Sequence, residues 1–195
     1  MQRVARACVV IGVVWCVMLA SPASAQNAAP QPSPIVMGPP LPPATLLEGF
    51  RPAAGSILTV GYDDLGEVAG VSVDVREIRD SAGGRVRGVV VDIAGAQSVR
   101  EQSFVDADEL PGLLKAFDAL LAVTGNPTEF KSFEMHYATK GELDLMASSS
   151  RNHGVVYAVE VGRLVKARRA PLTAGELHQL RTLFEVAAQK LSIGP

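Results

Sequence analysis

The architecture follows from Val105-Asp-Ala-Asp-Glu-Leu-Pro-Gly-Leu-Leu-Lys-Ala-Phe117, because a similar stretch, Leu172-Thr-Ala-Gly-Glu-Leu-His-Gln-Leu-Arg-Thr-Leu-Phe184, follows 67 residues later. Each copy comes after a run of strand-like sequence and opens an amphipathic helix. The positions that are identical in this ungapped pairing are Ala107/Ala174, Glu109/Glu176, Leu110/Leu177, Leu113/Leu180 and Phe117/Phe184. The sequence therefore predicts an internal repeat of strands followed by one helix.

Both copies carry the signals of a helix start. Asp106 precedes Glu109 by three residues, and Thr173 precedes Glu176 by three, which is the spacing of a capping box. Apolar residues then recur three and four positions apart, as on one face of an α-helix. These stripes consist of Leu110, Leu113, Leu114, Phe117, Leu120 and Leu121 in the first helix, and of Leu177, Leu180, Phe184, Ala187, Ala188 and Leu191 in the second.

Strands are predicted ahead of each helix, since apolar and polar residues alternate there with a period of two. In the first unit, Val71, Val73 and Val75 alternate with polar side chains in this way. The predicted strands of this unit are 56–62, 71–76, 87–93 and 99–104, with turns at 63–66 and 80–84. Those of the second unit are 132–137, 142–147, 155–161 and 164–169, with a tight turn at Lys140-Gly141 and a polar loop at 148–154.

These elements predict an α+β fold of two similar units, at about 56–125 and 129–192, within a single domain spanning 44–195. Each unit has three or four antiparallel strands followed by one amphipathic helix packed on the sheet, because neither sheet nor helix can bury its apolar face alone. In plan this arrangement is similar to the Whirly and PUR-type nucleic-acid-binding folds. The similarity is one of topology, and no residue here matches a binding motif of those families, so it implies nothing about function.

The first 25 residues have the pattern of a secretory signal peptide. Arg3 and Arg6 precede an apolar run at 7–20, and Ala23-Ser24-Ala25 matches an A-x-A cleavage site. The run is shorter than the roughly 20 residues that span a bilayer, which favours a cleaved leader over an uncleaved membrane anchor. We therefore expect export, with cleavage after Ala25, to the periplasm or the extracellular space.

A proline-rich segment at 26–43 follows the predicted leader. It has seven prolines in eighteen positions, which favours an extended, disordered linker over a proline-rich docking motif. Cys8 and Cys16 both lie in the leader, so the mature chain is expected to contain neither a disulfide nor a thiolate metal site. The mature chain is also expected to have no transmembrane segment.

No catalytic, cofactor-binding or metal motif is present in the sequence. The chain has no G-x-S-x-G elbow, no G-x-G-x-x-G loop and no H-E-x-x-H helix. The histidines, His136, His153 and His178, are expected at the surface. We therefore predict no cofactor, no metal and no recognisable catalytic centre, although the absence of a motif leaves enzymatic activity open.

One charged segment is a candidate anion-binding patch. It contains Arg163, Lys166, Arg168 and Arg169. An anionic polymer is the partner that such a patch would attract, whereas the alternative is an edge strand protected from aggregation by its charges. Nucleic acid is disfavoured as a partner because the net charge without the leader is near −4 and only 5% of residues are aromatic.

The sequence favours an exported, non-enzymatic binding or structural module, with an envelope or extracellular protein or an anionic polymer as its partner. The alternative is a small ligand-binding protein or hydrolase whose site is assembled between the two units. Its candidate residues are His136, Glu134 and Asp144, which fall on polar positions of adjacent predicted strands.

Overall fold

The computed structural model describes residues 43–94, 100–150, 154–162 and 167–192. In chain order the elements are α1 (Leu46–Gly49), β1 (Leu58–Val68), β2 (Val71–Asp80), β3 (Arg85–Ala94), β4 (Arg100–Asp106), α2 (Leu110–Leu121), β5 (Glu134–Ala138), β6 (Asp144–Ser150), β7 (Gly154–Val161), β8 (Arg168–Leu172) and α3 (Ala174–Ser192). The predicted leader, and the predicted linker up to residue 42, lie outside the described residues.

The strands form two four-stranded antiparallel sheets with the orders β1-β2-β3-β4 and β5-β6-β7-β8. Every strand pairs with its neighbour in sequence, as short connections allow. Helix α2 follows the first sheet and helix α3 follows the second. The predicted α+β class with antiparallel sheets is therefore confirmed.

The inner faces of both sheets and both long helices enclose one hydrophobic core. Helix α2 lies against β5 and β6 of the second sheet, whereas α3 makes its most extensive strand contacts with β1 and β2 of the first. Each long helix thus packs chiefly on the sheet that its own unit does not supply. Because each unit covers the other, neither can bury its apolar surface alone. Among the described residues no helix is both long and apolar enough to cross a membrane.

Helix α1 covers part of the outer face of the first sheet. Its Leu47 is buried against Val86 and Val90, which form a second, smaller apolar cluster. The side chain of Leu47 reaches the sheet above Gly88, where a Cβ atom would stand 2.7 Å from its Cδ1. A capping box between Thr45 and Glu48 stabilises this short helix.

The predicted turn at 63–66 is wrong, because β1 continues through it. A β-bulge between Asp64 and Gly66 absorbs the turn-like sequence. There the backbone N–H of Gly66 donates to the Asp64 carboxylate at 2.8 Å. The chain reverses instead at Ala69-Gly70, where both residues have positive φ.

The first predicted capping box is only half formed, whereas the second is present in full. Glu109 accepts the backbone N–H of Asp106, but the Asp106 carboxylate accepts the N–H of Leu46 in α1 and does not cap α2. Helix α2 consequently begins at Leu110 without a side-chain cap. At α3, by contrast, Thr173 and Glu176 exchange both hydrogen bonds of the box.

Two strand boundaries in the second sheet also differ from the prediction. Strand β6 extends to Ser150, into the segment predicted as a polar loop. Strand β8 is Arg168–Leu172 and continues past the predicted end at 169, whereas the predicted start at 164–166 lies outside the described residues. Pro171 lies within β8. Because β8 is an edge strand of its sheet, the missing N–H of a proline is tolerated there.

Candidate functional site on the open face of the second sheet

The outer face of the second sheet, which we call the open face, carries both polar and apolar side chains. Alternation along the paired strands directs every second residue to this face. These residues include Glu134, His136 and Ala138 of β5, Asp144, Met146 and Ser148 of β6, Val156, Ala158 and Glu160 of β7, and Arg169 and Pro171 of β8. The described helices pack elsewhere: α2 and α3 border the core, and α1 contacts β3 and β4.

A depression of about 350 Å³ lies on this face. Its apolar lining includes Met146, Val156, Ala158 and Pro171. Met146 has only 6% of its surface exposed although it points away from the core, and the Arg169 side chain contacts its sulfur. Val156, by contrast, is 38% exposed. The floor of the depression is therefore apolar, with Met146 buried and both Val156 and Pro171 exposed.

One rim of the depression is a histidine between two carboxylates. His136 Nδ1 lies 2.9 Å from Asp144 Oδ2, and its Nε2 lies 3.6 Å from Glu134 Oε2. The antiparallel register produces this cluster, since Ala138 pairs with Asp144 and His136 with Met146. The structure thus brings the three sequence-predicted candidates together. They lie on two strands of one sheet and not between the two units.

The carboxylates favour the protonated form of the imidazole. The hydrogen bond to Asp144 raises the pKa of His136 above its ordinary value, partial burial lowers it, and the weaker interaction with Glu134 raises it further. The side chain of His136 is 45% exposed, so solvent screens both interactions. His136 therefore places a group with a raised pKa on an otherwise acidic rim.

The opposite rim is formed by Arg169. Its Nε donates to Glu160 Oε2 at 3.1 Å, and its Nη2 lies 3.1 Å from the Met146 sulfur. The guanidinium consequently holds the methionine in place while remaining largely exposed. An oriented, partly exposed arginine of this kind is a frequent anchor in protein interfaces.

The candidate anion-binding patch is only partly within the described residues, because Arg163 and Lys166 lie outside them. Arg168 and Arg169 are adjacent in β8 and therefore project to opposite faces of the sheet. Arg168 is half-buried, and Arg169 is paired with Glu160. The two described members do not form one continuous basic surface.

Two acidic residues away from the open face form ion pairs. Asp63 pairs with Lys190 of α3, and Asp108 pairs with Lys140 at 3.0 Å. His178 is exposed on α3 as expected, whereas His153 lies outside the described residues. Within the described ranges, no group of three or more His, Cys, Asp or Glu side chains is arranged to hold a metal ion.

The apolar floor was not identified from the sequence. The alternation rule assigns the outward positions of a half-buried strand to polar residues, yet β7 has Val156 and Ala158 there. The available signal was the run Val155-Val156-Tyr157-Ala158, in which both faces are apolar. Such a run indicates a strand that is covered on both sides, although no described helix packs on this one's outer face.

The sequence matches no protein-family model. The comparison with curated proteins likewise finds no match to this chain.

Proposed function

We propose that this protein is an exported, non-enzymatic binding module whose open face binds a partner protein of the envelope or extracellular space. The observation that carries the proposal is the apolar depression between the His136 and Arg169 rims. An apolar centre inside a polar rim is the usual organisation of a protein-binding surface. A central methionine suits such a surface because its thioether adapts to different partner side chains.

The charged rims also support a binding role over a catalytic one. Both basic groups are already engaged, His136 with Asp144 and Arg169 with Glu160. Ion pairs formed before association reduce the entropy that is lost when side chains are ordered at an interface. Glu134, which is the most exposed carboxylate of the cluster, remains accessible to a basic group of the partner.

The leader and linker patterns supply the remaining parts of the proposal. A cleaved leader would deliver the domain across the membrane, and the proline-rich segment would hold it at a distance from its surroundings.

We further propose that the two units arose by internal duplication. The matching element order, the related helix sequences and the equivalent burial of Phe117 and Phe184 support this origin.

A photo-crosslinking amino acid at Val156 tests the proposal. The variant should form a defined covalent adduct in the native host, because Val156 lines the depression and is 38% exposed. The same amino acid at Thr182, which is exposed on α3, provides the control. Arg169→Glu should abolish the Val156 adduct. Absence of an adduct at Val156, or equal adducts at both positions, would argue against the open face as the binding surface.

The second candidate function is a small ligand-binding protein or hydrolase. The observation that favours it is the 2.9 Å contact between His136 and Asp144 beside the depression, because a carboxylate-oriented histidine is a common general base. Ser148 lies on the same face, opposite Glu134 in the register. A hydrolytic activity that is lost in His136→Ala and in Asp144→Asn, but is retained in Ser72→Ala on the other sheet, would establish this candidate and displace the first.

A further inference from the structure

Strand β1 is an edge strand whose N-terminal and C-terminal halves differ in charge and in regularity. It pairs only with β2 among the described strands, so one side of its backbone has no strand partner there. At 11 residues it is the longest strand described. A long edge with unpaired N–H and C=O groups is a template for another strand, and soluble proteins usually protect it.

The protection is confined to the C-terminal half of β1. That half has a β-bulge after Asp64 and the acidic residues Asp63 and Glu67. The N-terminal half, from Leu58 to Tyr62, has no charge, no proline and no bulge. The first half is therefore open to strand addition, whereas the second half resists it.

Exposed apolar side chains accompany this unprotected half. Leu58, Val60 and Tyr62 project to the outer face of the first sheet, and we call them the edge triplet. They are 48%, 44% and 77% exposed, respectively. Ile57, immediately before them, is 74% exposed. Neighbouring large apolar residues with this exposure are typical of an interaction surface.

We propose that β1 pairs in antiparallel fashion with β1 of a second copy of this chain, with the two-fold axis at Val60. The two sheets would then join into one of eight strands across the dimer. Leu58 and Tyr62 are equally distant from Val60, so Val60 meets its counterpart and Leu58 meets Tyr62 of the second copy. Aromatic and aliphatic cross-strand pairs of this kind stabilise antiparallel sheets.

The distribution of charge selects this orientation and register. Every acidic residue of β1 lies on the C-terminal side of the edge triplet. Antiparallel pairing about Val60 carries Asp63 and Asp64 of the two copies to opposite ends of the junction. A parallel pairing, or an antiparallel register centred further along β1, would place like charges opposite one another, which is destabilising.

The same features favour a second copy over an unrelated strand as the occupant. A two-fold interface requires a surface that is complementary to itself. The edge triplet meets this condition because all three of its residues are apolar. An antiparallel copy therefore places apolar residues opposite apolar residues at every position. The interface is also separate from the open face, which belongs to the other sheet.

Cysteine crosslinking in the full chain, expressed with its own leader and with Cys8 and Cys16 replaced by serine, tests the register. Val60→Cys should crosslink to itself under mild oxidation. Leu58→Cys and Tyr62→Cys should each remain uncrosslinked alone, because identical positions would be about 13 Å apart along the strand. The two should crosslink when mixed. Self-crosslinking of Leu58→Cys or Tyr62→Cys, or none by Val60→Cys, would overturn the proposed register.

The oligomeric state of the unmodified chain tests the interface itself. Light scattering should detect a dimer whose dissociation constant rises at least about tenfold in Val60→Lys. Phe130→Lys is the matched control, since Phe130 is an exposed apolar residue outside both sheets and should leave the dimer intact. Both variants should keep the circular dichroism spectrum of the parent. A monomer at all accessible concentrations, or a dimer that is insensitive to Val60→Lys, would refute the proposal.

Discussion

The rings of Phe117 and Phe184 contact each other at the centre of the core, with centroids 5.4 Å apart and planes inclined by 41°. The two residues occupy equivalent positions of the related helix sequences, and neither is exposed to solvent. Their contact joins α2 to α3, the two helices that pack against each other in the core. A tilted aromatic pair of this geometry adds to the stabilisation from burial alone.

Replacing either phenylalanine should strongly destabilise the whole domain. We expect Phe117→Ala and Phe184→Ala each to lower the free energy of unfolding by about 3–5 kcal/mol, because each leaves a cavity in a shared core. Urea unfolding provides the measurement. Phe130→Ala is the matched control, since Phe130 is 79% exposed and should cost little.

The combination of the two substitutions is a sharper test of their contact. The double variant should lose less stability than the sum of the single losses, because the second substitution removes a contact that the first has already broken. A near-zero loss at either position, or strict additivity, would contradict two equivalent and interacting residues.

Gly141 is predicted to tolerate no side chain. It forms an isolated β-bridge with Phe104 across the two units, and a Cβ atom there would lie 1.9 Å from the Phe104 carbonyl oxygen. We expect Gly141→Ala to cost about 1–3 kcal/mol or more, since the backbone must move to relieve the clash. Gly125→Ala is the control, because a Cβ atom there meets nothing within 4 Å. Equal melting temperatures for the two variants would argue against the bridge.

His136 should titrate above its ordinary range. The hydrogen bond to Asp144 is the main cause of the raised pKa, so Asp144→Asn should lower the pKa more than Glu134→Gln does. An NMR titration of the imidazole resonances in the three proteins measures the difference. A larger effect of Glu134→Gln would indicate that the histidine is oriented differently.

The same shift determines how this cluster affects stability with pH. A pKa raised in the folded state means that folding favours the protonated form. The stabilisation from the His136–Asp144 pair is therefore complete at pH values below 6.5, the ordinary histidine pKa that applies to the unfolded chain. It is lost as the pH rises through the higher pKa of His136 in the folded protein. The gap in melting temperature between the parent and Asp144→Asn should accordingly narrow from mildly acidic to alkaline pH. It should be small throughout, because the pair is partly exposed.

The period-two and helical patterns predicted the strands and the two long helices well, since those signals come from burial of one face. They did not predict the exchange of the helices between sheets, because an apolar stripe does not specify which apolar surface it will meet. Asp63-Asp64-Leu65-Gly66 resembled a turn, yet tertiary pairing with β2 extended the strand through it. At the candidate site, the alternation of apolar and polar residues predicted the outward positions of His136 and Asp144. It did not predict the apolar floor, because Val156 is an apolar residue at an outward position.

Asp106 has one role by its position in the sequence, as the cap of α2, and another in the structure, as the hydrogen-bond acceptor of Leu46 in α1. Sequence spacing assigns the Asp106 carboxylate to α2, but both of its oxygens accept the N–H of Leu46, at 3.0 and 3.1 Å. Asp106→Ala should therefore release α1 and cost about 1–3 kcal/mol, since a buried hydrogen-bonding group is removed.

Hydrogen exchange after this substitution should show lost protection at the amides of α1, while α2 remains protected. Leu47 would also leave its site above Gly88, which would expose Val86 and Val90. Asp108→Ala is the matched control, because Asp108 is exposed and pairs only with the exposed Lys140 among the contacts described. Loss of protection in α2 with α1 unaffected would mean that Asp106 caps the second helix in solution, as its position in the sequence suggests.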